Sequence, residues 1–481
     1  MSIPSNSSLN TIPASWRQHF TPRQQAHLDE LITRYTQRTR TSKQYIQTHR
    51  DHLADPRVSF GFMMPLKELA YPIVGERSHG SRIWDVDSNE YLDLIMGFGV
   101  NLFGHNPSFV RDAIQAQLEK GIHLGTQTEQ IGEVAALICE LTGVERVAFS
   151  NTGTEAIMTA MRLARAATGR PKIALFANSY HGHFDGTLIR RADQTDFLIP
   201  ITPGISSAIS SEVLVLEYGS ERSLDIIRAN LKELAAVLVE PVQSAQLDLQ
   251  PQAFLQELRQ ITAESGIVLI FDEMVSGFRI HPGGAQAWFN VEADLVTYGK
   301  IVGGGLPIGI IAGKAEIMNW LDGGSWQFGD ESAPEHPTTF FAGTYCKHPL
   351  VIAAAQAVLQ QIKAESAVLQ NQLNQRTAHL VDELNQIFEV NGLPFRMAHF
   401  GSLFGTVSLG GSHQSHGAKS DNLAAIGLSL LRYHLLDQGI LLRGTGGFLS
   451  TAHTSEDINT LVQAVGTGIE NLQDGSFLPK P

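Results

Sequence analysis

Short apolar runs alternate with amphipathic segments through the middle of this 481-residue chain. The runs lack the apolar–polar alternation of a strand with one wet face, and they are typical of strands covered on both sides. We predict strands at residues 147–149, 173–176, 213–216, 236–239, 267–271, 295–298 and 308–312, and helices at about 109–119, 128–141, 154–168, 222–233, 252–265 and 349–363. This alternation indicates an α/β fold with a mostly parallel seven-stranded sheet covered by helices, whose ligands bind beyond the carboxyl ends of the strands.

The two ends of the chain have different patterns. Residues 1–20 are rich in Ser, Asn, Thr and Pro and predict a loose lead-in. Thr21 and Pro22 predict the N-cap and first residue of a polar helix, which is either a surface helix or an element that docks another module. A hairpin is predicted on either side of Ser88 and Asn89. We predict four parts: an N-terminal helical or linker segment (1–55), a part that joins the small domain (56–100), a large ligand-binding domain (101–345) and a small α+β C-terminal domain (346–481).

Composition excludes several classes of protein. The chain is 43% apolar and 17% charged, as globular proteins are, and its net charge of −13 disfavours a nucleic-acid binder. Two cysteines, Cys139 and Cys346, fit a reducing cytoplasm better than a disulfide framework. The N-terminus does not resemble a signal peptide, and no apolar run is long enough to span a membrane. We therefore expect a cytoplasmic protein, most often an enzyme.

Small hydroxyl residues follow the first strand of the sheet. Thr152, Gly153 and Thr154 open the helix predicted at 154–168. The free N–H groups at a helix N-terminus bind phosphate or another anion. An ordinary N-cap with a tight turn explains the same residues, so both interpretations remain open.

An aromatic residue follows the second strand. Tyr180 is placed to stack on a flat ligand. His181, His183 and Asp185 imitate the spacing of metal ligands, but no clear third and fourth ligand accompanies them. We predict no metal site.

Three ionisable residues come at the ends of later strands. Glu240 and Asp272 place carboxylates at the same edge of the sheet, where they serve either one cleft or separate ion pairs and helix caps. Lys300 follows the strand at 295–298, and a desolvated lysine there can form a Schiff base. The simpler alternative is an exposed lysine. The glycines at 303–305 match neither a dinucleotide-binding fingerprint nor a phosphate-binding P-loop.

Together these features meet the requirements of pyridoxal 5′-phosphate (PLP). Its phosphate needs backbone N–H groups and hydroxyls, and its flat ring needs an aromatic side chain on one face. Its ring nitrogen needs a carboxylate, and its aldehyde needs a lysine amine. The combination is far more specific than any single feature.

The motifs SNTGTEA, SYHGHFDG, EPVQ, FDEMVSGFR, YGKIVGGGLPIG and FAGTYCKHP resemble those of the class III PLP-dependent aminotransferases. The resemblance runs from about residue 70 to 470. It implies the fold-type I architecture and an obligate homodimer whose active sites lie at the subunit interface. It also implies that Lys300 binds the cofactor and shuttles the proton, Asp272 pairs with the ring nitrogen, Tyr180 stacks on the ring and Met274 covers the opposite face.

The same resemblance implies the remaining cofactor contacts. It assigns the phosphate to Thr152, Gly153 and Thr154, and it implies that Thr344 reaches the phosphate of the partner subunit. Gln243 is placed to bond the ring hydroxyl, Glu240 helps to position the cofactor or the lysine, and His181 belongs to the cofactor-binding set.

Two narrower resemblances imply different reactions. WDVDSNEYLDL, GGGLPIG and LSTAHTSEDI resemble glutamate-1-semialdehyde 2,1-aminomutase. Longer segments, among them GFRIHPGGAQAWF, TYGKIVGGGLPIG and TFFAGTYCKHPL, resemble the aminotransferase domains of hybrid polyketide–nonribosomal peptide synthetases. The second resemblance implies amination of a β-ketoacyl thioester on an acyl carrier protein, with glutamate, glutamine or a similar amine as donor. We expect this reaction and keep the aminomutase as the alternative.

The missing arginines favour the thioester. Alignment places the aminomutase's carboxylate-binding arginine at or near Met63, and a second arginine common in class III at about residues 449–451, where none is present. A buried carboxylate without a partner is costly, whereas a thioester has no carboxylate. The predicted apolar entrance consists of Phe62, Met63, Met64, Phe98 and Phe103. The donor's carboxylate is left to Arg82, Arg279 or Arg443, among which the sequence does not decide.

Overall fold

A computed structural model describes residues 20–59, 62–192, 195, 197–408, 423–444 and 446–480. The lead-in predicted for residues 1–20 lies almost wholly outside these residues. The strands are β1 (Gly75–His79), β2 (Arg82–Asp85), β3 (Glu90–Asp93), β4 (Arg146–Ser150), β5 (Lys172–Phe176), β6 (Ile189–Arg191), β7 (Leu198–Pro200), β8 (Val213–Leu216), β9 (Leu234–Val239), β10 (Val268–Asp272), β11 (Leu295–Gly299), β12 (Gly309–Gly313), β13 (Phe395–Phe400), β14 (Leu403–Ser408), β15 (Ile440–Leu441) and β16 (Gly447–Phe448).

The helices are α1 (Pro22–Arg38), α2 (Arg40–His49), α3 (Met96–Gly99), α4 (Ser108–Lys120), α5 (Gln130–Thr142), α6 (Gly153–Thr168), α7 (Glu221–Ala229), α8 (Gln252–Ser265), α9 (Gly284–Phe289), α10 (Ala315–Met318), α11 (Pro349–Val390), α12 (Leu423–Asp437) and α13 (Ser455–Asp474). Short 3₁₀ helices span Pro56–Val58, Met64–Leu69, Asp185–Thr187, Ser207–Glu212 and Lys300–Gly303. None of the described helices combines the length and the apolar character needed to cross a membrane.

A seven-stranded sheet forms the centre of the molecule, in the order β4-β12-β11-β10-β9-β5-β8. Its paired strands run parallel except at β12, which is antiparallel to both β11 and β4. Every residue of β9, β10, β11 and β12 is buried, which explains why their sequences show no apolar–polar alternation. The predicted mostly parallel sheet is confirmed, and each of the seven predicted runs overlaps one of its strands to within two residues at either end.

Smaller sheets flank this centre and involve both ends of the chain. One has the order β1-β2-β3-β15, so the predicted hairpin pairs with a strand from the C-terminal part. Another has the order β13-β14-β16. The α/β class with a smaller C-terminal domain is confirmed, while the four boundaries drawn from the sequence stay predictions.

Local sequence signals explain the helix ends. Thr21 Oγ1 caps α1 by accepting the N–H of Gln24, and Gln24 Oε1 accepts the backbone N–H of Thr21, so the predicted N-cap is confirmed. The helix predicted at 349–363 is wrong in length, because apolar spacing continues through α11 beyond an interruption at Ser366, where φ is 53°. The helix predicted at 222–233 ends at Ala229, because Asn230 leaves the helical conformation.

A close backbone contact joins β12 to the start of α6. A Cβ atom added at Gly309 would lie 2.0 Å from the carbonyl oxygen of Thr152. The backbone at Gly309 could move away from this contact only if β12 separated from β4. Gly132 in α5 provides a contrast, because an added Cβ there meets no atom within 4 Å.

We predict that Gly309→Ala lowers the free energy of unfolding by about 2 kcal/mol or more, as overpacking does. Gly132→Ala is the matched control and should raise it by up to about 1 kcal/mol, because alanine is the better helix former. Urea unfolding followed by circular dichroism measures both. Equal midpoints for the two variants would contradict the close contact.

Candidate active site

Parallel strands bring three ionisable side chains together. Asp272 ends β10, Glu240 follows β9 and Lys300 follows β11. Because β9, β10 and β11 are adjacent and parallel, their carboxyl ends meet at one edge of the sheet. Both carboxylates act electrostatically on Lys300. The structure therefore brings these three residues together at one edge of the sheet, while their shared cleft stays a prediction.

Asp272 is buried within a set of donors. His181 Nδ1 donates to Oδ2 at 2.8 Å, and Thr297 Oγ1 donates to Oδ1 at 3.2 Å. The backbone N–H of Met274 also donates to Oδ1 at 3.1 Å. Nε2 of His181 is buried and has no hydrogen-bond partner among the described residues. These contacts fix the carboxylate at the end of the strand.

Glu240 forms hydrogen bonds at the start of the loop that carries Tyr180. Its Oε2 accepts the backbone N–H of Tyr180 at 3.3 Å, and its Oε1 accepts that of Ser244 at 2.9 Å. Burial raises the pKa of the Glu240 carboxyl. The Tyr180 side chain is 65% exposed, so its ring has a face free for stacking. Glu240 thus positions the loop that carries this ring.

Lys300 has the environment of a reactive amine. Burial lowers the pKa of its ammonium group, against the opposing pull of Asp272 and Glu240. Arg279 and Arg443 lower the pKa further. Within the described part of the chain, Nζ forms neither a hydrogen bond nor an ion pair. A larger neutral fraction at a given pH makes the amine a better nucleophile.

The start of α6 combines a capping box with backbone N–H groups that are available to an anion. Thr152 Oγ1 accepts the N–H of Glu155, and the Glu155 carboxylate accepts the N–H groups of Asn151 and Thr152. The N–H groups of Gly153 and Thr154 then remain at the positive end of a 16-residue helix. The capping interpretation and the phosphate interpretation of this motif are therefore compatible.

Two glycines make room for Met274. A Cβ atom added at Gly153 or at Gly299 would lie 2.9 or 2.8 Å from Met274 Sδ. The Gln243 amide nitrogen donates to Ala177 O and Ser179 Oγ, both at 2.7 Å, while its oxygen is buried without a partner among the described residues. Thr344 is exposed. The roles expected of Met274, Gln243 and Thr344 stay predictions.

Each of the three candidate arginines has a different environment. Arg82 is ion-paired with Asp457 at 2.5 Å and with Glu90 at 3.0 Å. Arg279 is 1% exposed and is bonded to Val275 O, Ser402 Oγ and Gly99 O. Arg443 is exposed and has no carboxylate partner among the described residues. Of the three, only Arg443 has a guanidinium that is both accessible and close enough to act on Lys300.

The sequence did not predict the left-handed turn that lies next to Arg279 and Arg443. In α3, the φ angles of Met96, Gly97, Phe98 and Gly99 are 47°, 62°, 58° and 90°. The two non-glycine residues each cost roughly 1–2 kcal/mol in this conformation. The glycines on either side of Phe98 are the only local sign of it in the sequence. Phe103, expected at the entrance with Phe98, packs edge to face on Phe109, and its place at the entrance stays a prediction.

Comparison with known proteins identifies the family. The model of the family "Aminotransferase class-III" matches residues 63–451. The chain belongs to the class III aminotransferases. Glutamate-1-semialdehyde 2,1-aminomutase of Chloroflexus aurantiacus is 35% identical over 411 residues, which are 83% of this chain and 90% of that relative.

Solved structures agree with this assignment. A transaminase with PLP bound has a TM-score of 0.78 at 26% identity, over 91% of this chain and 99% of the other. A β-phenylalanine aminotransferase from Variovorax paradoxus has a TM-score of 0.79 at 27% identity, over 95% of this chain and 99% of the other. The expected fold-type I architecture and PLP dependence are both confirmed.

The residues of this class III aminotransferase fit PLP. The N–H groups of Gly153 and Thr154 suit its phosphate, and the buried Asp272 suits its ring nitrogen. Lys300 supplies an unpaired amine for the aldehyde. Among the described residues, no group of three His, Cys, Asp or Glu side chains is arranged to hold a metal ion.

We predict that Lys300→Ala abolishes turnover and the visible absorbance of the PLP-loaded protein, because the amine that captures the aldehyde is removed. Borohydride should fix PLP to the wild type but not to the variant, as intact-protein mass spectrometry would detect. Lys232→Ala is the control, since this exposed lysine precedes β9 at the opposite edge of the sheet. Normal transamination by Lys300→Ala would refute the assignment.

Proposed function

We propose that this enzyme transfers an amino group from an amino acid, glutamate in the simplest case, to the ketone of a β-ketoacyl thioester on an acyl carrier protein. The donor leaves as its 2-oxo acid, and the ketone oxygen of the acceptor is replaced by the amino group. The product is a β-aminoacyl thioester, and the exchange needs no external oxidant or reductant. Such a step belongs to polyketide and nonribosomal peptide assembly.

The accessible guanidinium of Arg443, which acts on Lys300, carries this proposal. The donor has a carboxylate that Arg443 can bind, while the thioester has none. Met63 stands where the aminomutase resemblance places a carboxylate-binding arginine, and it packs partly buried against the core. One cationic contact therefore suits a reaction in which only one of the two substrates is an acid. The β-amino acid substrate in the name of the Variovorax neighbour supports chemistry at the β carbon.

Several residues of this chain would each have a separate role in the reaction. PLP supplies the electron sink that makes the substrate Cα–H or Cβ–H bond acidic. With PLP bound, Lys300 would carry the proton between the substrate carbon and the cofactor, in opposite directions for donor and acceptor, and the lowered pKa of Lys300 suits it as a base. Asp272, held by His181, would pair with the protonated ring nitrogen. Tyr180 and Met274 would hold the ring from its two faces.

A basic segment supports a carrier protein as partner. Residues 31–50 contain five arginines and lysines and no aspartate or glutamate, in a chain whose net charge is −13. Arg40 and Arg50 are exposed and lack a carboxylate partner in the described part of the chain. Lys43 pairs with Glu68 in the 3₁₀ helix Met64–Leu69, next to the predicted entrance. An acidic carrier would be attracted to such a surface.

We also propose that the enzyme is a homodimer that acts in the cytoplasm. Large aromatic side chains are exposed on either side of Thr344, with Phe340 79% and Tyr345 60% accessible. Exposed apolar groups of this kind are typical of a surface covered by another subunit. The two free cysteines, Cys139 and Cys346, are in keeping with a reducing compartment.

The second candidate is glutamate-1-semialdehyde 2,1-aminomutase. The 35% identity to the Chloroflexus enzyme over most of both chains favours it more directly than any comparison favours the carrier-bound substrate. This reaction moves an amino group within one small substrate that bears a carboxylate. Arg443 would then have to bind that carboxylate in place of an arginine at position 63.

We expect the two functions to separate in one assay. The PLP-loaded enzyme with glutamate should convert a β-ketoacyl carrier protein to its amino form, seen by intact-protein mass spectrometry. The enzyme should leave glutamate 1-semialdehyde unchanged when that compound is supplied alone. Lys300→Ala is the inactive control. Conversion of the semialdehyde together with no amination of the carrier would establish the aminomutase instead.

We predict that Arg443→Met lowers the efficiency of the glutamate half-reaction by roughly 10- to 100-fold, the value of a hydrogen-bonded charge. The decay of cofactor absorbance after mixing with glutamate measures this step. Arg40→Met removes an exposed cation on α2 and should leave it unchanged. Wild-type efficiency in Arg443→Met would show that another group binds the carboxylate.

A further inference from the structure

The left-handed turn Met96–Gly99 is held from several sides. The Asp93 carboxylate accepts the N–H groups of Ile95 at 2.8 Å and Met96 at 3.2 Å. His105 Nε2 lies 2.7 Å from the same carboxylate and fixes its orientation. At the other end of the turn, Gly99 O accepts a hydrogen bond from the buried Arg279. The unfavourable backbone conformation is therefore imposed by its surroundings.

Gly99 is required at the end of this turn. A Cβ atom added there would lie 2.6 Å from the ring of Phe448. Phe448 N donates to Leu94 O at 2.7 Å, and the Arg279 guanidinium lies 4.9 Å from the centre of the Phe448 ring. The turn is thus clamped between β16 and the segment that follows β10.

The turn buries Met96 in the core but places its other non-glycine residue, Phe98, outside the core. Phe98 is 55% exposed although it is a large apolar side chain. Its ring centre lies 5.8 Å from the Arg443 guanidinium carbon, which is within cation–π range. Arg443 is itself held in a tight turn by reciprocal backbone hydrogen bonds with Gly446. The side chains of Phe98 and Arg443 therefore connect two loops whose backbones are constrained.

In a ping-pong transamination, Arg443 meets two substrates in turn, one with a carboxylate and one without. A carboxylate-bearing donor neutralises the guanidinium directly. An uncharged acyl chain in the same cleft removes water from it and offers no anion in return, which is unfavourable. An aromatic face is a partner that stabilises a cation without carrying charge, and the stabilisation grows when water is excluded.

We propose that Phe98 is a specificity-determining residue. Its ring stacks on the Arg443 guanidinium while an uncharged acceptor is bound, and the carboxylate of the donor replaces the ring when the donor binds. This inference rests on the proposed donor role of Arg443. Phe98 then lowers the efficiency of acidic substrates, because a carboxylate must displace the ring. It raises the efficiency of uncharged substrates, because the guanidinium stays partnered.

The test measures the two half-reactions of the PLP-loaded enzyme separately. Glutamate converts the cofactor to its amine form, and a β-ketoacyl N-acetylcysteamine thioester returns it, each followed by cofactor absorbance. We expect Phe98→Leu to raise the efficiency with glutamate about fivefold and to lower that with the thioester about fivefold, as the loss of one cation–π contact implies. Phe98→Met should act as Phe98→Leu does, and Phe98→Tyr, which keeps the ring, should resemble the wild type.

Opposite shifts for the two substrates distinguish this role from simple damage to the turn, which would lower both. In an Arg443→Met background, Phe98→Leu should have no further effect on either half-reaction, because the partner of the ring is gone. Shifts in the same direction, or shifts that persist without Arg443, would overturn the inference.

The proposed function and this inference fail in different ways. A wild-type enzyme that does not aminate the thioester refutes the proposed acceptor, and the glutamate half-reaction alone then decides the role of Phe98. A glutamate half-reaction unaffected by Arg443→Met refutes the donor site and the inference with it. A strong effect of Arg443→Met together with none of Phe98→Leu refutes the inference alone.

Discussion

The Asp272 carboxylate and the Lys300 amine are largely buried at the ends of two adjacent parallel strands. The rest of the site depends on which hydrogen-bond and ion-pair partners each of these two groups has. Asp272 is surrounded by donors that stabilise its charge, whereas Lys300 has no hydrogen-bond or ion-pair partner among the described residues. Burial favours the charged form of a group only when partners replace water. The sheet thus places a carboxylate held by hydrogen-bond donors next to an amine whose pKa burial lowers, on neighbouring strands.

Burial of the central sheet on both faces makes its strands predictable from the sequence. Continuous apolar runs leave little choice but a covered strand, and polar residues directly after such runs fall at one edge when the strands are parallel. The positions of Asp272, Glu240 and Lys300 at that edge follow from this pattern. The length of α11 does not, because the chain there resumes the helix after the unfavourable conformation at Ser366.

The three arginines mark the limit of what the sequence predicts. Arg82, Arg279 and Arg443 are equal candidates in the sequence because their roles are set by partners far away along the chain. Asp457 lies 375 residues from Arg82, and Ser402 lies 123 residues from Arg279. The turn at Met96–Gly99 is unpredictable for the same reason, since its conformation depends on contacts from other segments. The neighbouring sequence offers only the glycines on either side of Phe98 as a sign of this turn.

Two guanidinium groups act on Lys300, and their different partners give them different uses. Arg279 is buried, and its donors are bonded to backbone carbonyls and a serine hydroxyl, with no carboxylate partner among the described residues. Burial lowers the pKa of Arg279 to about 9, so near neutral pH it is still a cation, and it disfavours protonation of Lys300 whichever substrate is present. Arg443 lies over the ring of Phe98, and in the proposed mechanism it exchanges this partner for the carboxylate of the donor. A fixed cation keeps the amine reactive throughout the cycle, so the second cation can change its partner without being needed to set the pKa of Lys300.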